Sequence, residues 1–404
     1  KRNIKNIIEC NIKSVDQDHF FKNGYTRQYF SKSDINNKKK IIINDSEYEK
    51  IKKTTLAFDF PNHHPAFIQN EEKLKIFLST KYHHSNNYID ANNFTPLLKL
   101  MKSQQVFGYD IWIKHDNQYN LYEGGNKARK INTISKFILK ENYDCVLTNG
   151  GIQSNHVRAT ALMCAKYNLK CEVIYHGDIR KKNEHSGNFL LTKISGANFI
   201  IVNKNNLSEE MDTRMLQLKH KGFKPYYLWG GGHNIYGVEA YVNAVIDELQ
   251  KQCEQIGFIP DYIFLPSGTG STQLGISIGI YILGWKTKVI GISIAKNYED
   301  GVSAICSLKN KYAKYKDMNL DKLDIDFREE WTFGGYEKFS PTVADTIRQV
   351  SNEMGVILDP TYSGKAFKGM CDILKTNKLS KKSKIIFWHT GGMHNLMTSE
   401  EMKN

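Results

Sequence analysis

From about residue 111 onward, short apolar runs alternate with longer stretches of helical spacing. The run DIWIKH, 110–115, has the length and composition of a strand. Ile131, Ile134 and Ile138 then recur at intervals of three and four, the period of one helix face. DCVLTN, 144–149, is a second apolar run. GIQSNHVRATALMCAKYN, 151–168, opens polar and turns helical, and CEVIYH, 171–176, is a third run. This order predicts βαβαβ, the pattern of a parallel sheet flanked by helices. A second unit starts at DYIFLPSG, 261–268, passes through STQLGISIGIYILGW, 271–285, and returns at KVIGISIA, 288–295. KIIFWHTGG, 384–392, supplies a late strand. The expected fold class is α/β, with no internal repeat of solenoid length.

Residues 1–88 follow a different rule. They are rich in Lys, Asn and Ile, and include the polar stretch SKSDINNKKKIIINDSEYEKIKK, 31–53. That composition predicts a partly disordered extension, with a targeting remnant as the alternative. No apolar signal-peptide core is visible in it. FDFPNHHPAF, 58–67, looks more ordered, as a strap on the main body would be.

Composition narrows the class. The 404 residues allow two or three domains, or one large two-lobed enzyme, and 40% hydrophobic content suffices for a substantial core. The net charge of +14 raises nucleic-acid binding, but the lysines are dispersed and form no dominant stripe. Seven cysteines, Cys10, Cys145, Cys164, Cys171, Cys253, Cys306 and Cys371, occur without a CxxC and mostly within apolar runs. They read as buried thiols in a reducing compartment, and neither Cys nor His spacing suits zinc. No apolar run approaches the length of a membrane span. The expected location is the cytoplasm.

Three stretches carry chemistry. SGTGSTQLG, 267–275, follows a buried strand and precedes a helix. Its glycines admit a ligand to the backbone, and the helix start faces an anion. Ser267, Thr269, Ser271 and Thr272 add hydroxyl donors, so the stretch reads as a phosphate cup, with a structural turn as the alternative. It lacks the lysine of a nucleoside-triphosphate loop and the spacing of a dinucleotide site. NGGIQSNHVRA, 149–159, places Gln153, Ser154 and Asn155 at a helix start, where they could cap the helix or meet a carboxylate. YEGGNKARK, 122–130, places Lys127 just after two glycines at the start of a helix expected from about Ala128. The positive end of the helix dipole disfavours an ammonium there and lowers its pKa, as a Schiff-base lysine requires. A phosphate-bearing aldehyde would be held by Lys127 and the cup together, which points to pyridoxal phosphate.

With these motifs in hand, GGNKARK, GGIQSNHVRA, SGTGSTQLG, LDPTYSGKA and HTGG occur in the order seen in pyridoxal-phosphate enzymes of the tryptophan-synthase-β fold type, fold type II. The chain most resembles the subfamily of D-cysteine desulfhydrases and 1-aminocyclopropane-1-carboxylate (ACC) deaminases, from about Phe94 to Met397. The resemblance implies two α/β lobes with the cofactor between them: 89–129 with 230–404, and 130–229. It implies that Lys127 bonds the cofactor and shuttles the proton, and that Asn155 bonds its phenolic oxygen. Ser154, with Gln153, would meet the substrate carboxylate or stand beside the reacting carbon. Ser267, Gly268, Thr269, Gly270, Ser271 and Thr272 would hold the phosphate. Tyr336 in GGYEKFS and Tyr362 in TYSGK match tyrosines that approach the substrate. Ser363 matches the partner of the pyridine nitrogen.

Ser363 bears on the choice between the two activities. ACC deaminases usually carry Glu there, and a carboxylate keeps the ring nitrogen protonated. Desulfhydrases carry Thr. The hydroxyl of Ser363 implies β-elimination of a good leaving group, with D-cysteine the expected substrate and pyruvate, ammonia and sulfide the products. An ACC deaminase, a serine dehydratase or a racemase of the same fold are the alternatives. The expected partners are a small amino acid and a second copy of the chain, with no nucleic acid and no membrane. His233 in GGH and His394 after HTGG depart from the family pattern and fall either inside or outside the substrate pocket.

Overall fold

The computed structural model describes residues 94–177, 186–376, 378–399 and 402. The expectations for the 1–88 extension and for the 58–67 strap lie outside the described residues. Residues 92–404 form one compact unit, and it contains two sheets.

The first sheet has six strands in the order β1-β2-β10-β7-β8-β9. They are β1 Leu97–Lys99, β2 Asp110–Lys114, β7 Tyr262–Ser267, β8 Lys288–Ser293, β9 Asp326–Arg328 and β10 Lys384–Trp388. Only β1 runs antiparallel, on β2. The second sheet is wholly parallel, in the order β5-β4-β3-β6, with β3 Cys145–Gly151, β4 Lys170–His176, β5 Asn198–Val202 and β6 Pro225–Leu228. The strand runs expected from the sequence are therefore present, and β1, β5, β6 and β9 join them. The fold is α/β, as expected.

Four helices bear on the site: α1 Gly125–Lys140, α2 Asn155–Lys166, α3 Ser271–Ile282 and α4 Ser363–Lys375. Helix α1 begins at Gly125, three residues earlier than its apolar spacing suggests, which puts Lys127 in its first turn. Ile131, Ile134 and Ile138 are buried and pack with Val146, Val157 and Leu228 of the four-stranded side. Helix α4 buries Ala366, Phe367, Met370 and Leu374 against the six-stranded sheet, with the Phe367 and Phe387 rings 5.0 Å apart and edge-on. Burying each of the three larger side chains, Phe367, Met370 and Leu374, contributes roughly 1.5–3 kcal/mol. The central strands β3 and β7 are covered on both faces, so their sequences read as near-continuous apolar runs.

A buried ionic cluster fixes the start of α1. Arg129 donates to Asp116 Oδ1 at 2.7 Å and to Glu248 Oε2 at 2.8 Å, and Lys114 pairs with the same Glu248. Burial would raise the Asp116 carboxyl, but Arg129 and Lys114 outweigh it and hold it below the usual carboxylate range. Two cations against two carboxylates leave no net buried charge. Removing one partner of such a cluster costs about 3–5 kcal/mol.

In parallel α/β sheets, ligands collect beyond the carboxyl ends of the strands. Three of the sequence motifs lie there, with 152–155 beyond β3, 268–272 beyond β7 and 389–392 beyond β10, and so does the 229–233 stretch beyond β6. Cys145, Cys164, Cys171, Cys253 and Cys371 are buried thiols, and Cys306 is half-buried. Among the described residues, no helix is long and apolar enough to cross a membrane.

Candidate active site

Gly124 and Gly125, at φ +72° and +87°, turn the chain into α1. A Cβ on Gly124 would press on Asn117 O at 2.5 Å, so glycine is required. The turn delivers Lys127, whose Nζ donates to Gly231 O at 3.3 Å. Burial lowers its pKa to about 8. Desolvation is thus the main cause of the shift, where the sequence had suggested the helix dipole. Lys130, one turn on, donates to Ser271 Oγ at 2.8 Å and to Gly231 O at 3.4 Å. Burial and the Lys127 charge push its pKa well below the usual lysine range. Sequence reasoning missed Lys130. Its i+3 spacing from Lys127, which puts both on one helix face, was the available signal.

The expected cup forms between β7 and α3. Gly270 takes φ +90°, and α3 starts at the next residue. The first amides of a helix have no partner within it, and the helix N-terminus favours negative charge. Ser267 Oγ is buried with no hydrogen-bond partner. Thr269 Oγ1 lies 3.5 Å from Ser271 Oγ, and Thr272 Oγ1 accepts from Asn126 Nδ2 at 3.2 Å. Gly231 joins cup and lysine. A Cβ there would stand 2.7 Å from Thr269 Cγ2 and 3.6 Å from Lys127 Nζ.

The facing wall follows β3. Ser154 caps α2, its Oγ accepting from Val157 N at 3.3 Å, so the capping reading is borne out. Asn155 Oδ1 accepts from Arg158 Nη1 and from Asn188 Nδ2, both at 3.0 Å. Its Nδ2 remains as a donor. Gln153 Oε1 accepts from Asn188 N at 2.8 Å. Arg158 also donates to Asn188 Oδ1, to Gly124 O and to His394 Nδ1, each at 2.8 Å. Burial brings the guanidinium down to about 10, which leaves it charged at neutral pH. His394 is therefore a neighbour of Arg158, and burial followed by the Arg158 charge lowers its pKa to about 4. His233 falls to about 4 through burial and the charge of Lys130, with further lysines adding to it. Both imidazoles are neutral at pH 7.

Tyr336 and Tyr362 meet through their hydroxyls at 2.8 Å, and burial keeps both phenols protonated. A Cβ on Gly151, at the end of β3, would stand 3.6 Å from Tyr336 Cε1, so this pair reaches the four-stranded side. Ser363 is occupied on two sides. Its Oγ donates to Asp359 Oδ1 at 2.7 Å and accepts from Asp359 N at 2.8 Å. Asp359 also accepts from the amides of Thr361, Tyr362 and Ser363 at the start of α4. Burial raises its carboxyl to about 6 against these donors, so it is ionised at neutral pH. Sequence reasoning passed over Asp359, Arg158 and Asn188. The first two lie inside the motifs LDPTYSGKA and HVRA, whereas Asn188 carried no local signal.

The groups present fit a phosphate-bearing aldehyde. A lysine of lowered pKa stands beside a helix start, a second buried lysine and an unpartnered hydroxyl. Residues 89–391 match the family model for pyridoxal-phosphate dependent enzymes, and the chain belongs to that family. It is a pyridoxal-phosphate dependent lyase. A Pyrococcus furiosus protein provisionally named 1-aminocyclopropane-1-carboxylate deaminase is 34% identical over 74% of this chain and 89% of that protein. A Klebsiella pneumoniae D-cysteine desulfhydrase is 30% identical over 74% of this chain and 91% of its own length. A solved structure of an ACC deaminase homologue superposes with a TM-score of 0.67 at 31% identity, covering 74% of this chain and 90% of that one. The fold is that of fold type II.

Proposed function

We propose that the enzyme eliminates the β-substituent of a small amino acid, with D-cysteine as the preferred substrate. D-cysteine and water give pyruvate, ammonia and hydrogen sulfide. The observation that carries the reading is Lys127 Nζ placed beside Gly231 and the cup, with burial holding its pKa near 8. When bound, the cofactor supplies an electron sink conjugated to the substrate α-carbon.

The side chains divide the remaining work. The amides of 268–272, Ser267 and Lys130 hold the phosphate and so set the reach of Lys127. Lys127 takes the α-proton at Nζ and can pass it to the sulfur, which leaves with the Cβ–S electron pair. Asn155 presents Nδ2 to the cofactor's phenolic oxygen, in an orientation fixed by Arg158 and Asn188. Gln153 and Ser154 orient the substrate carboxylate. Tyr336 and Tyr362 close the opposite side and exclude water. On the same reading, 130–229 forms the smaller lobe, 89–129 with 230–404 form the larger one, and the enzyme works as a homodimer.

The hydroxyl of Ser363 favours elimination of a good leaving group over ring opening. One observation favours ACC instead. Ser363 already donates to Asp359, so it can only accept a further hydrogen bond. A protonated ring nitrogen could donate to it, with the Asp359 carboxylate behind. Product assays separate the two readings. The purified holoenzyme should form pyruvate and sulfide from D-cysteine faster than α-ketobutyrate from ACC. L-cysteine and D-serine serve as controls for chirality and leaving group. A preference for ACC would replace the desulfhydrase reading with the deaminase one.

A further inference from the structure

Lys365 is fully buried in the first turn of α4, and its ammonium meets no carboxylate within bonding distance among the described residues. It donates instead to three backbone carbonyls: Gly335 O at 2.6 Å, Thr332 O at 2.7 Å and Ile294 O at 3.2 Å. Carbonyl oxygens converging on a dehydrated monovalent cation are the coordination that potassium-selective sites use. Here the cation is covalently attached to the chain. Burial lowers its pKa to about 8, and Asp359 opposes that shift.

The three carbonyls belong to two segments of the site. The Ile294 amide donates to Ser267 O at 3.2 Å, and a Cβ on Gly268 would stand 3.6 Å from Ile294 Cγ1. Ile294 therefore backs the cup. Thr332 and Gly335 belong to the turn that carries Tyr336. Phe333, Gly334, Gly335 and Glu337 in that turn all have positive φ, at 49°, 83°, 112° and 57°. For the two non-glycine residues this region of the backbone is strained. A turn of this kind persists only when contacts from outside hold it.

We propose that the Lys365 ammonium acts as a tethered monovalent cation that fixes the 332–335 turn, and with it Tyr336, against the phosphate cup. The proposal rests on the reading of this site as the place where the amino acid binds. Lys365 is a positioning residue, acting through Ile294 and Tyr336. The wild-type enzyme then needs no free cation, whereas shortening Lys365 leaves a carbonyl cage that potassium or ammonium can enter.

The test uses cofactor-loaded wild-type, Lys365→Ala and Lys365→Met proteins. Each is measured in chloride salts of potassium, ammonium, lithium and tetramethylammonium at matched ionic strength, so that general screening is constant. The readouts are kcat, KM and the visible circular dichroism of the bound cofactor. Wild-type values should be the same in all four salts. Lys365→Ala should lose roughly 10–100-fold in kcat in tetramethylammonium, the scale of a misplaced wall of the site, and regain at least about tenfold in potassium or ammonium but not in lithium. Lys365→Met, whose side chain fills the cage, should not recover. A wild-type requirement for potassium, or a Lys365→Ala protein indifferent to the cation, would overturn the proposal. If Lys365→Ala folds poorly, the yield of folded holoprotein becomes the readout. Selective recovery in potassium supports the proposal, and equal failure in every salt contradicts it. The dichroism needs no substrate, so failure to turn over D-cysteine would count against the substrate reading alone.

Discussion

The two walls of the site are built by opposite means. On the six-stranded side, the cup consists of backbone, glycines and short hydroxyls, and it keeps donors in reserve: Ser267 Oγ is buried and unpartnered. On the four-stranded side, Asn155, Arg158, Asn188 and Gln153 form a network of long side chains that bond one another. Unmet donors await an anion, whereas a network of mutual bonds fixes the direction of the one donor it leaves free. Loss of a cup residue should therefore register in cofactor binding. Loss of a network residue should register first in stability.

The largest effect is expected from Arg158→Leu. The guanidinium bonds Asn155, Asn188, His394 and Gly124 O, and its loss leaves acceptors on four segments without their donor. The cost should be about 2–4 kcal/mol of unfolding free energy, measured by denaturant titration of the holoenzyme. A loss below about 0.5 kcal/mol, the range of neutral surface changes, would show that the network is not structural. Gly231→Ala comes next. Its φ of +78° disfavours any side chain, and a Cβ would stand 2.7 Å from Thr269 Cγ2. Cofactor affinity should fall about tenfold, the equivalent of about 1.4 kcal/mol. The smallest effect is expected from Ser267→Ala, which removes a hydroxyl with no protein partner. The unfolding free energy of cofactor-free protein should change by less than about 0.5 kcal/mol, while cofactor affinity drops by about 1 kcal/mol. If cofactor-free protein were strongly destabilised, the Ser267 hydroxyl would be bonded within the protein and the contrast between the walls would fail.

The same contrast explains what could be read from the sequence. The cup was legible because its chemistry is local: a buried strand, glycines and a helix start lie within nine residues, SGTGSTQLG. Lys127 was legible for the same reason. The four-stranded wall was only half legible. Gln153, Ser154 and Asn155 stood out at a helix start, but Asn188 and Asn395, which bond at 2.6 Å, lie 207 residues apart. Asp359 was hidden differently, since an acidic residue before a helix reads as a cap, and part of its work here is capping. Strands β1 and β9 have three residues each, too short to show a period. The α/β class was legible because β3 and β7 are buried on both faces and their apolar runs cannot be mistaken for loops.

The account turns on which lysine carries the cofactor. Lys127 and Lys130 lie one turn apart, Lys365 is also buried, and all three have lowered pKa values. Borohydride reduction of the holoenzyme, followed by peptide mass mapping, separates them. The account predicts a pyridoxyl group on Lys127 alone, with no stable label in Lys127→Ala. A label on Lys130 or Lys365 in the wild-type enzyme would contradict it.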